Sequence, residues 1–235
     1  MHIERVALRV SDPAASARYY EQIVGPEAAG LLDLRASERP GPAPRRATGL
    51  FHTAFLYPTR GQLGSALRRV AEHRAAFSGA SDHLVSEALY LDDPDALGIE
   101  LYRDRPREAW PAPGRGEKVH MDTLPLDLET LAAEAEGGSE GVHIGHVHLK
   151  VSDVDAATRF WTEEVGLELM VGWAGQAAFL AADGYHHHIG ANTWMSRGAS
   201  PEPPEGPGLD EIVLGSTGRT DELVTPDGVR VVLAD

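Results

Sequence analysis

The sequence is as informative for what it lacks as for what it contains. It has no cysteine among 235 residues, which excludes a disulfide framework and any thiolate metal site or nucleophile. No apolar run approaches the roughly 18 residues of a membrane span, and the start, residues 1–5, enters a strand pattern directly, without a signal-peptide layout. Positive charge is scarce, with 21 Lys and Arg against 36 Asp and Glu, which argues against nucleic acid. We therefore expect a soluble cytoplasmic protein without nucleic-acid or membrane partners.

An internal repeat organises the chain. Residues 8–20 return as residues 149–161, each copy giving an alternating strand, a Ser-Asp helix N-cap and an amphipathic helix closed by Gly. This predicts two related halves, residues 1–110 and residues 142–235. The Pro-, Gly- and charge-rich segment 111–141 between them is expected to be a linker, with one short helix within residues 126–136.

Each half divides again into two units that begin with a strand. Strand patterns start at Met1, Gly49, His143 and Gly208. The second unit continues with a helix expected over residues 62–73, whereas the last unit is shortened. Residues 82–90 and 98–102 of the second unit are expected to form two strands joined by a Pro/Asp/Gly turn.

Glu100 is the first residue that points to chemistry. It lies between Ile99 and Leu101 in an otherwise apolar strand. A carboxylate in such a position is costly unless it is paired or bound to a metal. Glu100 is therefore a candidate metal ligand, with the alternative that it caps an exposed edge strand.

Four motifs carry a resemblance to a known family. They are Ile144-Gly-His-Val-His-Leu-x-Val-Ser-Asp153, Asp82-His-x-x-Ser-Glu-Ala-Leu-Tyr90, Asp93-Pro-Asp-x-x-Gly-Ile-Glu100 and Gly184-Tyr-His-His-His-Ile-Gly-Ala-Asn-Thr-Trp194. Together they resemble the vicinal oxygen chelate superfamily of glyoxalases, bleomycin resistance proteins and extradiol dioxygenases, in its catechol 2,3-dioxygenase-like branch. The resemblance implies an α+β fold of four tandem βαβββ modules, two of them shortened, whose paired, curled mixed sheets face a divalent metal.

The resemblance also implies a ligand set of two histidines and one glutamate for Fe(II), or for Mn(II) in some members. The matching positions here are His52, Glu100 and His146, and His148 is a competing choice because it shares the strand face of His146. The first and fourth modules lack these residue types, having Arg5 and Glu211 at the histidine positions. We therefore expect the second and third modules to form the metal site across the two halves.

Three further residues match the proton-handling groups of the family. His188 matches the acid–base histidine, with His186 as its alternative, and Tyr90 and His83 match groups near the substrate hydroxyls. Tyr90 and His83 could equally serve as hydrogen-bond partners of the ligands.

The resulting functional prediction is a metal-dependent extradiol dioxygenase that cleaves a catechol-like aromatic ring with O2. The alternatives are a non-enzymatic drug- or ligand-binding protein and a glyoxalase-like isomerase of the same fold. The substrate, the choice between iron and manganese, and the choice between monomer and homodimer stay open at this point.

Overall fold

A computed structural model describes residues 1–235, leaving aside the side chain of Ala29. Within these residues the chain forms thirteen strands and four α-helices. The first module is short and contains β1 (His2–Val10), α1 (Pro13–Ile23) and β2 (Leu32–Ala36). The second is complete and contains β3 (Gly49–Leu56), α2 (Arg60–Glu72), β4 (Ala76–Asp82), β5 (Ser86–Asp92) and β6 (Gly98–Asp104).

The remaining elements follow the same plan. A connecting segment carries the short helix α3 (Leu128–Ala133). The third module contains β7 (His143–Lys150), α4 (Val154–Arg159), β8 (Glu168–Trp173), β9 (Ala177–Ala181) and β10 (Ile189–Asn192). The fourth is reduced to β11 (Gly208–Gly215), β12 (Asp221–Val224) and β13 (Arg230–Leu233). The predicted α+β fold of four modules, two of them shortened, is confirmed.

The helix starts follow the capping residues in the sequence. Asp12 accepts hydrogen bonds from the amides of Ala14 and Ala15 at 3.0 Å, and Asp153 accepts one from the amide of Ala156 at 2.9 Å. Helix α2 begins two residues earlier than expected because Thr59 and Gln62 form a capping box. The linker helix lies within the expected residues 126–136, and it begins after Asp127, whose side chain caps it at the amide of Thr130.

One strand prediction was wrong. Residues 82–90 are not a single strand, because the chain turns at residues 83–85 between β4 and β5. The amide of Leu84 donates to the Asp82 carboxylate at 2.9 Å, and Leu84 has a φ of 69°. Asp side chains offer the backbone such local hydrogen bonds in place of the strand ladder, which stabilises the turn.

Two mixed sheets divide the modules between them. The first and fourth modules form a five-stranded sheet in the order β12-β13-β11-β1-β2. The second and third form an eight-stranded sheet in the order β4-β5-β6-β3-β7-β10-β9-β8. At its centre β3 pairs with β7 antiparallel and with β6 in parallel. The first strands of the two complete modules are therefore direct neighbours.

Alternation along the central strands separates a core face from a polar face. On β7, Val147 and Leu149 join the main hydrophobic core, while His146 and His148 occupy the opposite face. On β6, Ile99 and Leu101 join the core, which leaves Glu100 on the polar face. The polar residues of adjacent strands therefore converge on one side of the eight-stranded sheet. Within the described residues, no helix is both long enough and apolar enough to cross a membrane.

Candidate metal centre

His52, Glu100 and His146 meet on the polar face of the eight-stranded sheet. They come from the adjacent strands β3, β6 and β7, and one ligand atom from each lies within 4.8 Å of the other two. Nε2 of His52 is 2.8 Å and Nε2 of His146 is 3.0 Å from the same Oε2 of Glu100. All three side chains are buried. The three predicted ligands are thus brought together by strands of the second and third modules.

Two nitrogens of this cluster have no hydrogen-bond partner in the chain. Nε2 of His52 is close to Glu100 but not in hydrogen-bonding geometry, and Nδ1 of His146 is also unpartnered. A buried unpaired donor or acceptor costs about 1–3 kcal/mol, and a metal that accepts the lone pair of His52 Nε2 would offset this cost at that atom. His146 faces Glu100 through Nε2, so the same ion could not also bind its Nδ1. Two imidazoles and one carboxylate with open positions are a donor set suited to Fe(II) and to other divalent metals. The residues therefore fit a metal.

The protonation of the cluster also suits a metal ligand set. Burial lowers the pKa of His146 to about 4, so this imidazole is neutral near pH 7. Burial opposes ionisation of Glu100, but the facing imidazoles of His146 and His52 outweigh it and hold the pKa of Glu100 well below its usual range. The cluster thus offers a neutral His146 imidazole beside an ionised Glu100 carboxylate, which are the forms that coordinate metals.

Tyr90 and His83 form a hydrogen-bonded pair beside the cluster. Tyr90 lies opposite Glu100 in the β5–β6 ladder, and its ring is 5.7 Å from that of His52. Nδ1 of His83 is 2.8 Å from the carbonyl oxygen of Asp122, so Nδ1 carries the proton. In the neutral ring Nε2 is then the acceptor for the Tyr90 hydroxyl at 2.7 Å. Burial, with Glu100 nearby, raises the pKa of Tyr90 well above its usual value.

A cavity of about 460 Å³ opens above these residues. His52, Glu100, Tyr90 and His83 are among its lining residues. Other lining residues are polar or charged, such as Arg45 and Lys150, but six contribute aromatic or thioether surface: Phe51, Met121, Trp173, Phe179, Trp194 and Met195. Such surface packs well against a flat apolar ring. The cavity therefore combines a candidate metal site with a surface suited to an aromatic ligand.

Comparison with known proteins identifies the family. Residues 2–101 match the family model of the glyoxalase/bleomycin resistance protein/dioxygenase superfamily. Over 174 residues the chain is 48% identical to a catechol-2,3-dioxygenase of Bacillus subtilis (strain 168), an alignment that covers 71% of this chain. The chain belongs to this superfamily. It spans 60% of the length of the B. subtilis relative.

Solved structures support the same fold at low sequence identity. A provisionally assigned dioxygenase of B. subtilis has a TM-score of 0.64 at 13% identity, with 100% of this chain and 85% of that chain covered. Glyoxalase I of Zea mays has a TM-score of 0.58 at 13% identity, with 99% of this chain and 91% of that chain covered. At these identities the likeness extends to the fold alone.

Within this superfamily member, His146 and His148 differ in their partners. His146 contacts Glu100, whereas Nε2 of His148 accepts a hydrogen bond from Nδ2 of Asn192 at 3.0 Å. His148 lies opposite His52 in the β3–β7 ladder and lines the cavity. The geometry thus favours His146 over His148 as the partner of Glu100, and the ligand role of His146 stays a prediction.

The three consecutive histidines 186–188 lie outside the strands of the sheet. They lie in an irregular segment, and β10 begins only at Ile189. His188 turns toward Ala182, whose amide donates to its Nδ1 at 3.3 Å, and toward the ring of Tyr185 at 4.9 Å. The structure therefore does not bring His188 to the other candidate residues, and its acid–base role remains a prediction from sequence.

His187 is the residue that sequence reasoning missed. It lines the cavity, and its ring centroid is 4.1 Å from that of His146 and 5.0 Å from that of Phe179. Burial, together with neighbouring imidazoles, lowers its pKa well below the usual value, so its ring is neutral near pH 7. The family motif selected His188, with His186 as its alternative, and neither choice pointed to the residue between them.

Proposed function

We propose that this protein is a metal-dependent dioxygenase of the extradiol type, which opens a catechol-like aromatic ring with O2. The observation that carries the proposal is the buried His52–Glu100–His146 cluster, with the unpartnered Nε2 of His52, at an apolar cavity that aromatic side chains help to line. The similarity to a catechol-2,3-dioxygenase over 71% of the chain supports it.

His52, Glu100 and His146 would hold Fe(II), with Mn(II) as the alternative ion for the same donors. Bound there, the metal would lower the pKa of the catechol hydroxyls and bring substrate and O2 together. The presence of all three metal-ligating residue types argues against a binding protein of the same fold, because such a protein needs no metal ligands to hold an apolar molecule.

Tyr90 and His83 would receive the proton of a substrate hydroxyl. Because the Tyr90 hydroxyl donates to Nε2 of His83, its oxygen keeps lone pairs for a hydroxyl in the cavity. A proton accepted by this oxygen would be matched by transfer of the Tyr90 proton to His83. The carbonyl of Asp122 holds His83 in the tautomer that this transfer needs.

Of the three consecutive histidines, His187 is the best placed for acid–base work at the cavity. It lies against the metal-ligand cluster and lines the cavity, whereas His188 faces Ala182. We therefore assign the acid–base role to His187, with His188 as the alternative that the sequence motif favours.

The test is metal analysis of anaerobically purified protein, followed by oxygen uptake with a panel of catechols. Stoichiometric iron or manganese and incorporation of both atoms of ¹⁸O2 into one product are the expected results. Bound metal without oxygen uptake on any catechol would refute the dioxygenase proposal and leave a binding protein or an isomerase.

Variants at the two histidines test the assignment of the acid–base residue. We expect His187→Gln to lower kcat by about 10²- to 10⁴-fold, as loss of general acid–base catalysis does, and to lower it more than His188→Gln. Metal content should stay unchanged in both. A larger loss in His188→Gln would return the role to His188.

A further inference from the structure

Behind the cavity wall, three side chains form a hydrogen-bonded chain, which we call the Asp104–His186–His187 chain. Nε2 of His186 is 2.8 Å from Oδ1 of Asp104, and Nδ1 of His186 is 2.8 Å from Nδ1 of His187. Asp104 ends β6, and both histidines lie in the irregular segment before β10. Only the last member, His187, lines the cavity among these three.

The chemistry of the three groups gives each hydrogen bond a direction. A carboxylate can only accept, so Nε2 of His186 must donate to Asp104. Only one proton can lie between the two Nδ1 atoms, which are 2.8 Å apart. Where His186 is a neutral imidazole, that proton is on Nδ1 of His187, and Nδ1 of His186 accepts it. The ring of His187 is left with its proton on Nδ1 and an unprotonated Nε2.

Two tyrosines hold Asp104 in place. The Tyr185 hydroxyl donates to Oδ2 of Asp104 at 2.9 Å, and the Tyr102 hydroxyl donates to that of Tyr185 at 2.9 Å. Burial raises the pKa of both tyrosines well above the usual value, so both hydroxyls keep their protons and act as donors. Both oxygens of the carboxylate are therefore engaged.

The rings of the chain are tightly packed. His186 is fully buried, with its ring 4.0 Å from that of Tyr185 and 5.7 Å from that of Trp110. Because Nδ1 of His187 is turned toward His186, the Nε2 edge is the part of its ring that remains for the cavity. A tautomer imposed on His187 would therefore decide what this edge can do for a ligand.

We propose that Asp104 and His186 are positioning residues that fix His187 in the Nδ1–H tautomer and present its unprotonated Nε2 to the cavity. In this form Nε2 can accept a hydrogen bond or a proton from a ligand hydroxyl. The catalytic consequence rests on the proposed dioxygenase function, whereas the tautomer itself does not.

The tautomer can be measured directly by ¹⁵N NMR of the histidine rings in the full chain, loaded with diamagnetic Zn(II). Loss of one signal set in His187→Gln assigns the resonances. We expect the His187 Nε2 to have the shift of an unprotonated ring nitrogen and Nδ1 that of a protonated one. A protonated Nε2 in the unmodified protein would overturn the proposal. The variant serves only to assign the signals, and the measurement depends on no activity.

His186→Phe tests the cause, since it keeps an aromatic ring against Tyr185 but removes the acceptor for His187. The His187 ring should then lose its preference for Nδ1–H. We expect kcat to fall about 10- to 100-fold, which is the loss observed when a residue that orients a site residue by a hydrogen bond is removed. KM and metal content should change little. His143→Gln, at an exposed position at the start of β7, is the matched control and should change neither quantity. An unaltered His187 tautomer in His186→Phe would overturn the proposal. If the tautomer is altered but neither the unmodified protein nor its variants take up oxygen, the result would count against the dioxygenase function alone.

Discussion

The turn that leads into the strand of Glu100 contains a buried carboxylate whose ionisation should weaken the fold. Asp93 is 5% exposed and accepts hydrogen bonds from the amides of Asp95 and Leu97 at 2.9 Å and from the Tyr20 hydroxyl at 3.1 Å. Burial is the main cause that raises the pKa of Asp93 from 3.8 to about 6, despite these hydrogen bonds. Asp93→Asn would keep the shape and the backbone hydrogen bonds while removing the charge.

The magnitude follows from the pKa difference between the folded and unfolded chain. A shift from 3.8 to about 6 corresponds to about 3 kcal/mol at 1.36 kcal/mol per pKa unit. Because the folded pKa is raised, Asp93 is protonated in both states below pH 3.8 and costs nothing there, and the full penalty applies above pH 6. The free energy of unfolding of Asp93→Asn, relative to the unmodified protein, should therefore rise by up to about 3 kcal/mol between pH 4 and pH 7.

Urea unfolding of both proteins at pH 4 and pH 7, with chelator present throughout, measures this difference without a contribution from bound metal. Asp92→Asn is the matched control, since the neighbouring side chain is 34% exposed and 3.5 Å from Arg45. A partly exposed ion pair such as Asp92–Arg45 contributes no more than about 1 kcal/mol to the free energy of unfolding. An Asp93→Asn effect of the same size at both pH values would refute the reasoning.

Three further substitutions test the site. Glu100→Gln should lower the metal content of anaerobically purified protein by more than about tenfold. Loss of a metal ligand should weaken metal binding at least as much as loss of a residue that orients a ligand. Stoichiometric metal in this variant would show that Glu100 is not a ligand. Tyr90→Phe should lower kcat about 10²- to 10⁴-fold with metal content unchanged, and retained kcat would contradict the proton-handling role. Gly145→Ala would place a Cβ 1.7 Å from the Tyr102 hydroxyl oxygen and should destabilise the fold by about 1–3 kcal/mol. Thermal unfolding measures this, and an unchanged Tm would show that Tyr102 can move without cost.

The meeting of the three candidate ligands could be anticipated because it depends on residue types at repeated positions. The first strand of each module has a position that either holds a histidine, as at His52 and His146, or does not, as at Arg5. Once the first strands of the complete modules pair, alternation alone places these side chains on one face with Glu100. The pairing of these strands is implied by the resemblance to the superfamily. The sequence was therefore sufficient to predict that the three side chains lie close together.

The role of His187 could not be read in this way, because the alternation rule requires an extended backbone. Asp183 and Gly184 have φ values of 56° and 65°, and the chain stays irregular as far as His188. In a strand the rings of His186 and His187 would point to opposite faces, and their Nδ1 atoms could not lie 2.8 Å apart. The departure from strand geometry is therefore what allows His186 to bond at once to His187 and to Asp104, a residue 82 positions away in the chain, and only the folded structure reveals that contact.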